Sequence, residues 1–399
     1  MSPESRSVDR RTVLASTTAA VGSLSLAGCI GVFDDDPGDH PDGIAVETLV
    51  EGLAHPWGMA FLPDDGLLVT EREGRLQLVD RDDASTERVD GVPAVHTAGQ
   101  GGLLDVTVHP DESWVYLTYA DVNDDGETAT HVGRGTFDPD GPELTDFESI
   151  FVAEPFVDST GHYGSRVVFS DDALYVTTGD RQFKDFGPEH VSQDTTNELG
   201  ATLRLAPDGS IPADNPFVDD PDVTDAIYSY GHRNAQGMTV HPETGALWQS
   251  EHGEEDGDEL NIVEGGENYG WPVATYGCEY NTDEPVGDRP PDREDTVDPV
   301  YYWECTSGGF PPAGMTFYDG EAFPDWQGDL FVGNLAGQYL GHFSVEGDDR
   351  EDVAVEERDP LLSDRGWRIR DVAVAPDTGA LYVAVDARDA PLVRLVPDS

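Results

Sequence analysis

The chain has 399 residues, of which 81 are Asp or Glu and 22 are Lys or Arg, so its formal net charge is −59. This charge excludes nucleic acid as a partner class, because the phosphate backbone would be repelled. Hydrophobic residues make up 37% of the chain, which is enough for one large β domain or two smaller domains. Lys184 is the only lysine. Many acids with almost no lysine are typical of a protein solvated in high salt, and we expect a halophilic source.

The N-terminal segment has the features of an export signal. Arg10 and Arg11 form a twin-arginine pair ahead of a short apolar stretch that ends in Leu-Ala-Gly before Cys29. We predict a signal peptide over residues 1–28, a lipid-modified Cys29 and a flexible acidic tether over residues 29–44. The protein would then be extracytoplasmic, held at the outer face of the cell membrane only through that lipid. The alternative is a chance Arg pair before an apolar run.

One β-hairpin pattern occurs six times in the remainder of the chain. Each copy is a short alternating strand, a turn rich in Pro, Asp or Gly, and a second apolar strand. The copies begin at Gly58, Leu104, Ser165, Gly237, Gly314 and Asp371. Six long-period β repeats predict an all-β, six-bladed β-propeller over residues 45–399, with a β-sandwich as the second choice. The last apolar run, Leu392–Val396, is expected to pair with the first blade and close the ring.

The segment Gly231–Gly237 places an arginine and two amides between glycines, directly after the predicted strand Ile227–Tyr230. Glycines allow a sharp turn and the close approach of a ligand, and an Arg beside an Asn offers several donors. This composition suits an anionic or carbonyl-rich ligand. The alternative is an arginine that only ties down its own turn.

Polar residues also precede the first strand of other repeats, at the point where the inner strands of a propeller converge on its axis. These residues are Gln100, His162, Arg233, Asn234, Arg368 and Arg370. Their convergence predicts a pocket for a polyanion with His162 as its only titratable base. Asp180 follows the strand after His162, so that its carboxylate could orient the imidazole. A structural histidine and one more solvated acid are the alternatives.

Two other features leave their interpretation open. Residues 250–259 form a dense acidic loop, which suits Ca²⁺ by composition but equally suits a solvated loop. Cys278 and Cys305 lie in a stretch rich in Pro and acidic residues. An oxidising compartment would allow them to form a disulfide, and two free thiols are the alternative.

Taken together, these segments resemble the soluble quinoprotein sugar dehydrogenases, the PQQ-dependent glucose/sorbosone or aldose sugar dehydrogenase family, over about Val46 to Pro397. The segments that carry the resemblance are Gly99–Leu104, residues 162–180, Gly231–Gly237, residues 250–259 with residues 266–272, and Arg368–Asp371. The family fold is a six-bladed propeller. The resemblance implies that the protein oxidises an aldose at C1 to the lactone, with PQQ and Ca²⁺, and passes the electrons to an external acceptor.

The resemblance also implies roles for individual residues. His162 would be the general base that removes the C1 hydroxyl proton while hydride passes to C5 of PQQ. Asp180 would support His162, and Arg233 would stabilise negative charge on the quinone oxygen. Asn234, Arg368 and Arg370 would bind PQQ, which carries three carboxylates.

Further ligands follow from the same resemblance. Gln100 would contact sugar or quinone. The backbone carbonyls of Gly253 and Glu254 would bind the Ca²⁺ that polarises PQQ, while Glu259 and Tyr269 match the positions of a second, structural calcium in some relatives.

The chain departs from the family pattern at three positions. Ala336 stands where relatives often carry a lysine that contacts PQQ, Asp105 stands where the family usually has Gly, and Glu254 where it often has Pro. Two other functions are therefore weighed, a propeller lactonase and a non-catalytic propeller that binds a sugar or a partner. The lactonase would need a central metal held by carboxylates and Asn, which an arginine-lined axis disfavours.

Overall fold

The structure is a computed structural model that describes residues 43–63, 66–110, 113–138, 141–347 and 349–398. The predicted signal peptide, Cys29 and the predicted tether up to residue 42 lie outside the described residues. Within them no helix is long and apolar enough to span a bilayer. The first strand, β1, runs from Ile44 to Leu53 and so begins one residue before the predicted domain boundary.

Six four-stranded antiparallel sheets follow one another along the chain, each with its first strand innermost. Blade 1 contains β2 (Pro56–Phe61), β3 (Gly66–Glu71), β4 (Arg75–Asp80) and β5 (Thr86–Val89). Blade 2 contains β6 (Leu103–Val108), β7 (Trp114–Val122), β8 (Thr128–Asp138) and β9 (Glu143–Val152). Blade 3 contains β10 (Val167–Ser170), β11 (Ala173–Thr177), β12 (Ala201–Leu205) and β13 (Ile227–Tyr230).

The other three blades have the same order of strands. Blade 4 contains β14 (Ala235–Val240), β15 (Leu247–Glu251), β16 (Glu259–Val263) and β17 (Tyr301–Tyr302). Blade 5 contains β18 (Pro312–Phe317), β19 (Leu330–Asn334), β20 (Tyr339–Glu346) and β21 (Ala354–Glu357). Blade 6 contains β22 (Ile369–Val374), β23 (Leu381–Val385), β24 (Ala390–Pro397) and β1. Two 3₁₀ turns, Pro290–Asp292 and Pro324–Trp326, lie in loops.

The six-bladed propeller is confirmed, and the six predicted hairpins are the two inner strands of the six blades. The ring closes differently from the prediction. The last strand β24 stays in its own blade, and the first strand β1 pairs with its outer edge, from Ile44 opposite Pro397 to Leu53 opposite Ala390. The N-terminal end of the domain therefore completes the last blade, which joins both ends of the described chain in one sheet.

Hydroxyl groups on the second strand of successive blades bind each blade to the next. Thr118 donates to the carbonyl of Ser165 at 2.6 Å, and Thr177 donates to the carbonyl of Ala235 at 3.0 Å. Thr70 and Ser250 make the corresponding contacts to Leu104 and Ala313. A β-branched or small hydroxyl residue thus satisfies a buried carbonyl of the neighbouring inner strand, which would otherwise cost about 1–3 kcal/mol.

A buried ion triad ties the inner strands together at the axis. Arg166, just before β10, places Nη1 3.0 Å from Asp105 Oδ1 and 3.1 Å from Asp371 Oδ1. Its Nε donates to the carbonyl of Gln236 on β14, and its guanidinium lies 4.3 Å from the ring centre of Trp57. Five blades therefore contribute to one contact, and Asp105 supplies one of its two carboxyl groups.

The two carboxylates of this triad are held by inner-strand backbone as well. Asp105 accepts from the amide of Val167 at 2.9 Å, and Asp371 accepts from the amide of Met59 at 2.9 Å. Burial raises the pKa of Asp105 to about 7, despite the opposing effect of Arg166. The two acids lie against Gly58 and Gly314, where any Cβ would overlap the carboxylate oxygens. Neighbouring blades are thus packed too tightly at the axis for a side chain.

A long insertion between β16 and β17 is fastened to the acidic loop that precedes β16. Cys278 and Cys305 are joined in a disulfide, so of the two alternatives the structure has the bridge. The backbone of Cys278 also pairs with Glu255, with N–O distances of 3.0 and 3.1 Å. The amide of Gly257 donates to the carbonyl of Trp303. The insertion and the segment that follows β17 therefore hold residues 253–258 from both sides.

We predict that Arg166→Met destabilises the fold strongly, because it leaves two carboxylates buried without their shared cation. The free energy of unfolding should fall by about 3–5 kcal/mol, measured by denaturant titration at constant salt. Arg289→Gln is the control, since that exposed arginine pairs with an exposed Glu304, and its loss should change stability by at most about 1 kcal/mol. A loss below 1 kcal/mol for Arg166→Met would show that the triad contributes little.

Candidate functional site

A cavity of about 350 Å³ opens at the axis, at the end of the ring where the inner strands begin. It collects the predicted site residues from four blades. The residues of that prediction that line it are Gln100, His162, Arg233, Asn234, Arg368 and Arg370. Ala336, in the turn after β19, lines it too. The six predicted residues converge because each lies at or just before an inner strand, and the propeller fold brings the inner strands to the axis.

His162 and Asp180 form a buried pair at one side of the cavity. The Nδ1 of His162 lies 2.6 Å from Asp180 Oδ1, while Asp180 Oδ2 accepts from Trp271 Nε1 at 2.8 Å. The amide of His162 donates to Gln100 Oε1 at 2.7 Å, which holds a residue whose φ of 46° is left-handed. An ionised Asp180 requires the proton on Nδ1, so Nε2 of the neutral ring has a free lone pair.

The charge states of this pair follow from burial and from its neighbours. Burial lowers the pKa of His162, the positive charge of Arg233 lowers it further, and the carboxylate of Asp180 opposes both. Burial alone would raise the pKa of Asp180, but the hydrogen bond from His162 lowers it overall. The resulting state is a neutral imidazole beside an ionised carboxylate, which is the state that a general base needs.

Arg233 and Asn234 lie in the turn between the outermost strand of blade 3 and the innermost strand of blade 4. The positive φ of 76° at Gly231 makes this turn possible, and the Asn268 side chain fills the space beside it. The guanidinium of Arg233 donates to Glu254 Oε2 at 2.7 Å and faces the ring of Trp271. The amide oxygen of Asn234 accepts from Gly164, next to His162, at 3.1 Å.

Arg368 and Arg370 share one acid at the opposite part of the ring. Arg370 Nη2 lies 2.9 Å from Asp386 Oδ2, Arg368 Nη2 lies 3.5 Å from the same atom, and His55 contacts the other oxygen at 2.8 Å. Burial would raise the pKa of Asp386, but Arg370 and His55 lower it overall. Arg370 is buried and its Nε contacts no acceptor among the described residues, which leaves donor capacity for a ligand.

Lys184 is a cavity residue that the sequence did not single out for this role. It lies in the loop after β11, and its Nζ binds Glu254, at 2.6 Å from Oε2. Glu254 thus bridges Lys184 and Arg233, so its carboxylate is already occupied. The one lysine of the chain therefore reaches the cavity from blade 3, whereas the position of Ala336 in blade 5 carries no charge.

The predicted metal ligands fall in two places beside the cavity. The backbone carbonyls of Gly253 and Glu254 accept no hydrogen bond from any described residue. Glu259 and Tyr269 line a separate space of about 10 Å³ together with Glu251, which is opposite Glu259 across β15 and β16. Burial and the charge of Glu251 raise the pKa of Glu259 well above its ordinary value. In the described part of the chain, no group of three or more His, Cys, Asp or Glu side chains is arranged to hold a metal.

His252 corrects the prediction that His162 is the only titratable base near the cavity. It lines the cavity beside Arg233, and burial together with the charge of Arg233 lowers its pKa to about 3. Its Nε2 is buried without a partner among the described residues. The ring stays neutral and contributes polarity without charge. In the sequence, His252 lies within the acidic segment 250–259, and the many acids of that segment suggested calcium rather than a histidine of the cavity.

The fold and the site define a class, a six-bladed propeller with a cation-lined axial pocket and a buried His–Asp pair. The sequence profile of the Glucose / Sorbosone dehydrogenase family matches residues 53–394. The chain belongs to the glucose/sorbosone dehydrogenase family, and the resemblance seen in the sequence is confirmed.

Individual relatives agree with this assignment. The chain is 39% identical over 367 residues to an aldose sugar dehydrogenase of Escherichia coli, covering 90% of this chain and 94% of that one. The crystal structure of the soluble Escherichia coli aldose sugar dehydrogenase without cofactor superposes with a TM-score of 0.80 at 38% identity, covering 89% and 100%. The PQQ-bound aldose sugar dehydrogenase of Streptomyces coelicolor superposes with a TM-score of 0.70 at 28% identity, covering 90% of this chain and 100% of that one.

We predict that Asp180→Asn lowers the pKa of His162 still further, because it removes the carboxylate that favours the imidazolium. A pH titration of the histidine ring signals by NMR would report this pKa in both proteins. The wild-type ring should protonate below the ordinary histidine value of about 6.5, and the variant ring at a lower pH again. An unchanged or raised pKa in the variant would mean that Asp180 does not control the ring.

Proposed function

We propose that the protein is a PQQ- and Ca²⁺-dependent aldose dehydrogenase that oxidises C1 to the lactone and passes electrons to an external acceptor. The observation that carries the proposal is the charge of the cavity. Of the described residues, five cationic side chains line it, namely Arg72, Lys184, Arg233, Arg368 and Arg370, and one carboxylate, that of Asp386. In a chain with 81 acids and 22 basic residues, this concentration of cations favours an anionic ligand.

The residues present fit a tricarboxylate quinone. The five cations outnumber the three carboxylates nearest to them, Asp386, Glu254 and Asp180, and this surplus of positive charge suits an anionic ligand with several carboxylates. Arg233 and Arg370 each retain a buried Nε without a partner in the described structure. Arg368, Arg370 and Asn234 would hold the cofactor. A guanidinium group can donate two parallel hydrogen bonds to one carboxylate, which makes arginine well suited to this role.

The acidic loop fits calcium in a different manner from a carboxylate cluster. The free carbonyls of Gly253 and Glu254 would bind the ion that polarises the quinone, since Ca²⁺ accepts backbone oxygen. Glu259 and the backbone of Tyr269 would hold a second ion with Glu251, because the Tyr269 hydroxyl already donates to Ile262. That cavity is about the size of one small ion or water molecule.

The chain's own residues supply the proton chemistry. When bound, the quinone supplies the acceptor for the hydride that leaves C1. His162 takes the C1 hydroxyl proton on Nε2, and Asp180 holds the ring through Nδ1 and stabilises the imidazolium that results. Gln100 is anchored through its Oε1, so its amide N–H groups would point to sugar or quinone. Arg233 lies where its charge would stabilise a developing oxyanion.

We propose that the enzyme is located outside the cytoplasm. A lipid on Cys29 would anchor it at the outer face of the membrane after twin-arginine export, where sugar and acceptor are both accessible. The sequence order of the Arg pair, the apolar run and Cys29 supports this assignment. The acidic composition supports function in high salt.

Reconstitution tests the function. Protein purified in high salt should take up PQQ with Ca²⁺ and then reduce an artificial dye with an aldose. His162→Ala should bind PQQ nearly as wild type does but lose kcat by about 10²- to 10⁴-fold, because only the base is removed. Arg233→Ala should weaken both PQQ binding and rate. Absence of PQQ uptake at micromolar cofactor would reject the enzyme, and normal turnover of His162→Ala would reject its role.

We predict that calcium stabilises the fold through Glu259 independently of the cofactor. Without PQQ, Tm should rise with Ca²⁺ concentration, as expected for a ligand that binds only the folded state. A chelator should reverse the rise, and Glu259→Gln should abolish much of it. Glu304→Gln, which changes an exposed acid just after β17, is the control and should respond as wild type does. An equal calcium response in Glu259→Gln would remove Glu259 from the ligand set.

A further inference from the structure

Cations predominate among the described charged side chains at the mouth of the axial cavity. Its buried floor contains His162, Arg233, Asn234 and Arg370. The partly or fully exposed charged residues around the opening are Arg72, Lys184, Arg368 and Asp386, and Asp386 is bound by two arginines and His55. A mouth with three cations and a single acid is unusual for a chain in which acids outnumber basic residues by 81 to 22.

Arg72 is the cation of this mouth that the protein itself does not neutralise. The two glutamates beside it in sequence, Glu71 and Glu73, are both bound by Arg75, at 2.7 and 3.3 Å. No acceptor among the described residues contacts the guanidinium of Arg72. Its backbone, by contrast, is fixed, because its amide donates to His55 and its carbonyl accepts from Leu103. The backbone thus fixes where the side chain starts, and the guanidinium has no acceptor among the described residues.

The charge balance expected with cofactor and calcium bound also favours an anionic ligand at the mouth. The surplus cations would offset part of the charge of the three cofactor carboxylates, and the calcium proposed beside the cofactor would add two positive charges. The site would therefore keep a positive balance with both groups bound. The sugar must lie at this mouth, since its C1 has to reach Nε2 of His162.

We propose, on the basis of the proposed function, that the enzyme's substrates are acidic aldoses, with hexuronic acids as the simplest case. Arg72 and Lys184 would bind the sugar carboxylate as specificity residues, through charge-assisted hydrogen bonds. The carboxylate takes no part in the reaction. C1 loses its hydride to the quinone and its hydroxyl proton to His162, so the two-electron oxidation yields the lactone of the sugar diacid and the reduced quinone.

High salt does not remove this selectivity. At about 1 M salt the screening length is about 3 Å, so the overall negative charge of the protein no longer repels an acidic sugar. A direct contact between guanidinium and carboxylate inside a partly enclosed mouth is screened much less. The proposed specificity is therefore a contact effect and should persist where the protein is folded.

Matched sugars test the proposal, because glucuronate differs from glucose only by a carboxylate in place of the C6 hydroxymethyl group. With the PQQ- and Ca²⁺-loaded protein at constant ionic strength, we expect a KM about tenfold or more lower for glucuronate. Isothermal titration on the His162→Ala background gives the same comparison as a binding constant without turnover. Arg72→Gln and Lys184→Gln should each reduce the glucuronate preference several-fold, and Arg72→Lys should keep most of it.

Arg88→Gln is the control, since Arg88 is an exposed arginine on the outer strand of the same blade. It should leave the preference as in wild type. Equal or weaker binding of glucuronate, or a preference that survives Arg72→Gln and Lys184→Gln together, would overturn the proposal while glucose oxidation keeps the proposed function. Failure to take up PQQ would instead reject the function, and the titration of the unloaded protein would still decide whether the mouth prefers the acidic sugar.

Discussion

Arg166 and its two carboxylate partners form the contact on which the rest of the structure depends. One guanidinium binds Asp105 of blade 2, Asp371 of blade 6 and the backbone of blade 4, while Asp371 in turn binds the first inner strand. A buried charge that lost its partner would be costly, so the inner strands can meet at the axis in one arrangement only. This arrangement lies directly beneath the cavity, because Trp57 contacts Arg166 on one side and lines the cavity on the other. The positions of the functional side chains therefore follow from the closure of the ring.

The site above the triad is built on the same physical conflict between burial and charge. Arg233 and Arg370 are almost fully buried, and each is only partly neutralised by a shared acid, Glu254 or Asp386. The neutral His162 and His252 lie among these cations, and their lowered pKa values are a consequence of that field. The same fold therefore provides a neutral imidazole that can accept a proton, guanidinium donors without a protein acceptor, and loop carbonyls without a protein donor among the described residues. The glucose/sorbosone dehydrogenase family, to which the chain belongs, provides the chemical setting in which such a combination is used.

Much of the fold could be predicted because a propeller repeats one local pattern. The hairpins with Pro, Asp or Gly turns indicated the six blades, and the position before each first strand indicated which side chains would converge. The closure of the ring could not be predicted in detail, because β1 and β24 are joined only by long-range backbone pairing. Arg166 was hidden for a related reason. Nothing local to Ser165–Arg166–Val167 shows that Asp105 and Asp371, which come from distant repeats, surround it.

The sequence by itself determined the all-β class, the number of blades, the family and the pocket residues at the starts of the inner strands. These properties depend on local periodicity, turn residues and short sequence segments, all of which can be recognised in the sequence. The tertiary structure alone decided the pairing of His162 with Asp180 and the bridge from Lys184 through Glu254 to Arg233. The same holds for the cationic mouth, where Arg72 has no acidic partner among the described residues. It also decided the disulfide between Cys278 and Cys305. Each of these depends on side-chain distances between loops of different length, and such distances exist only after the blades have closed around a common axis.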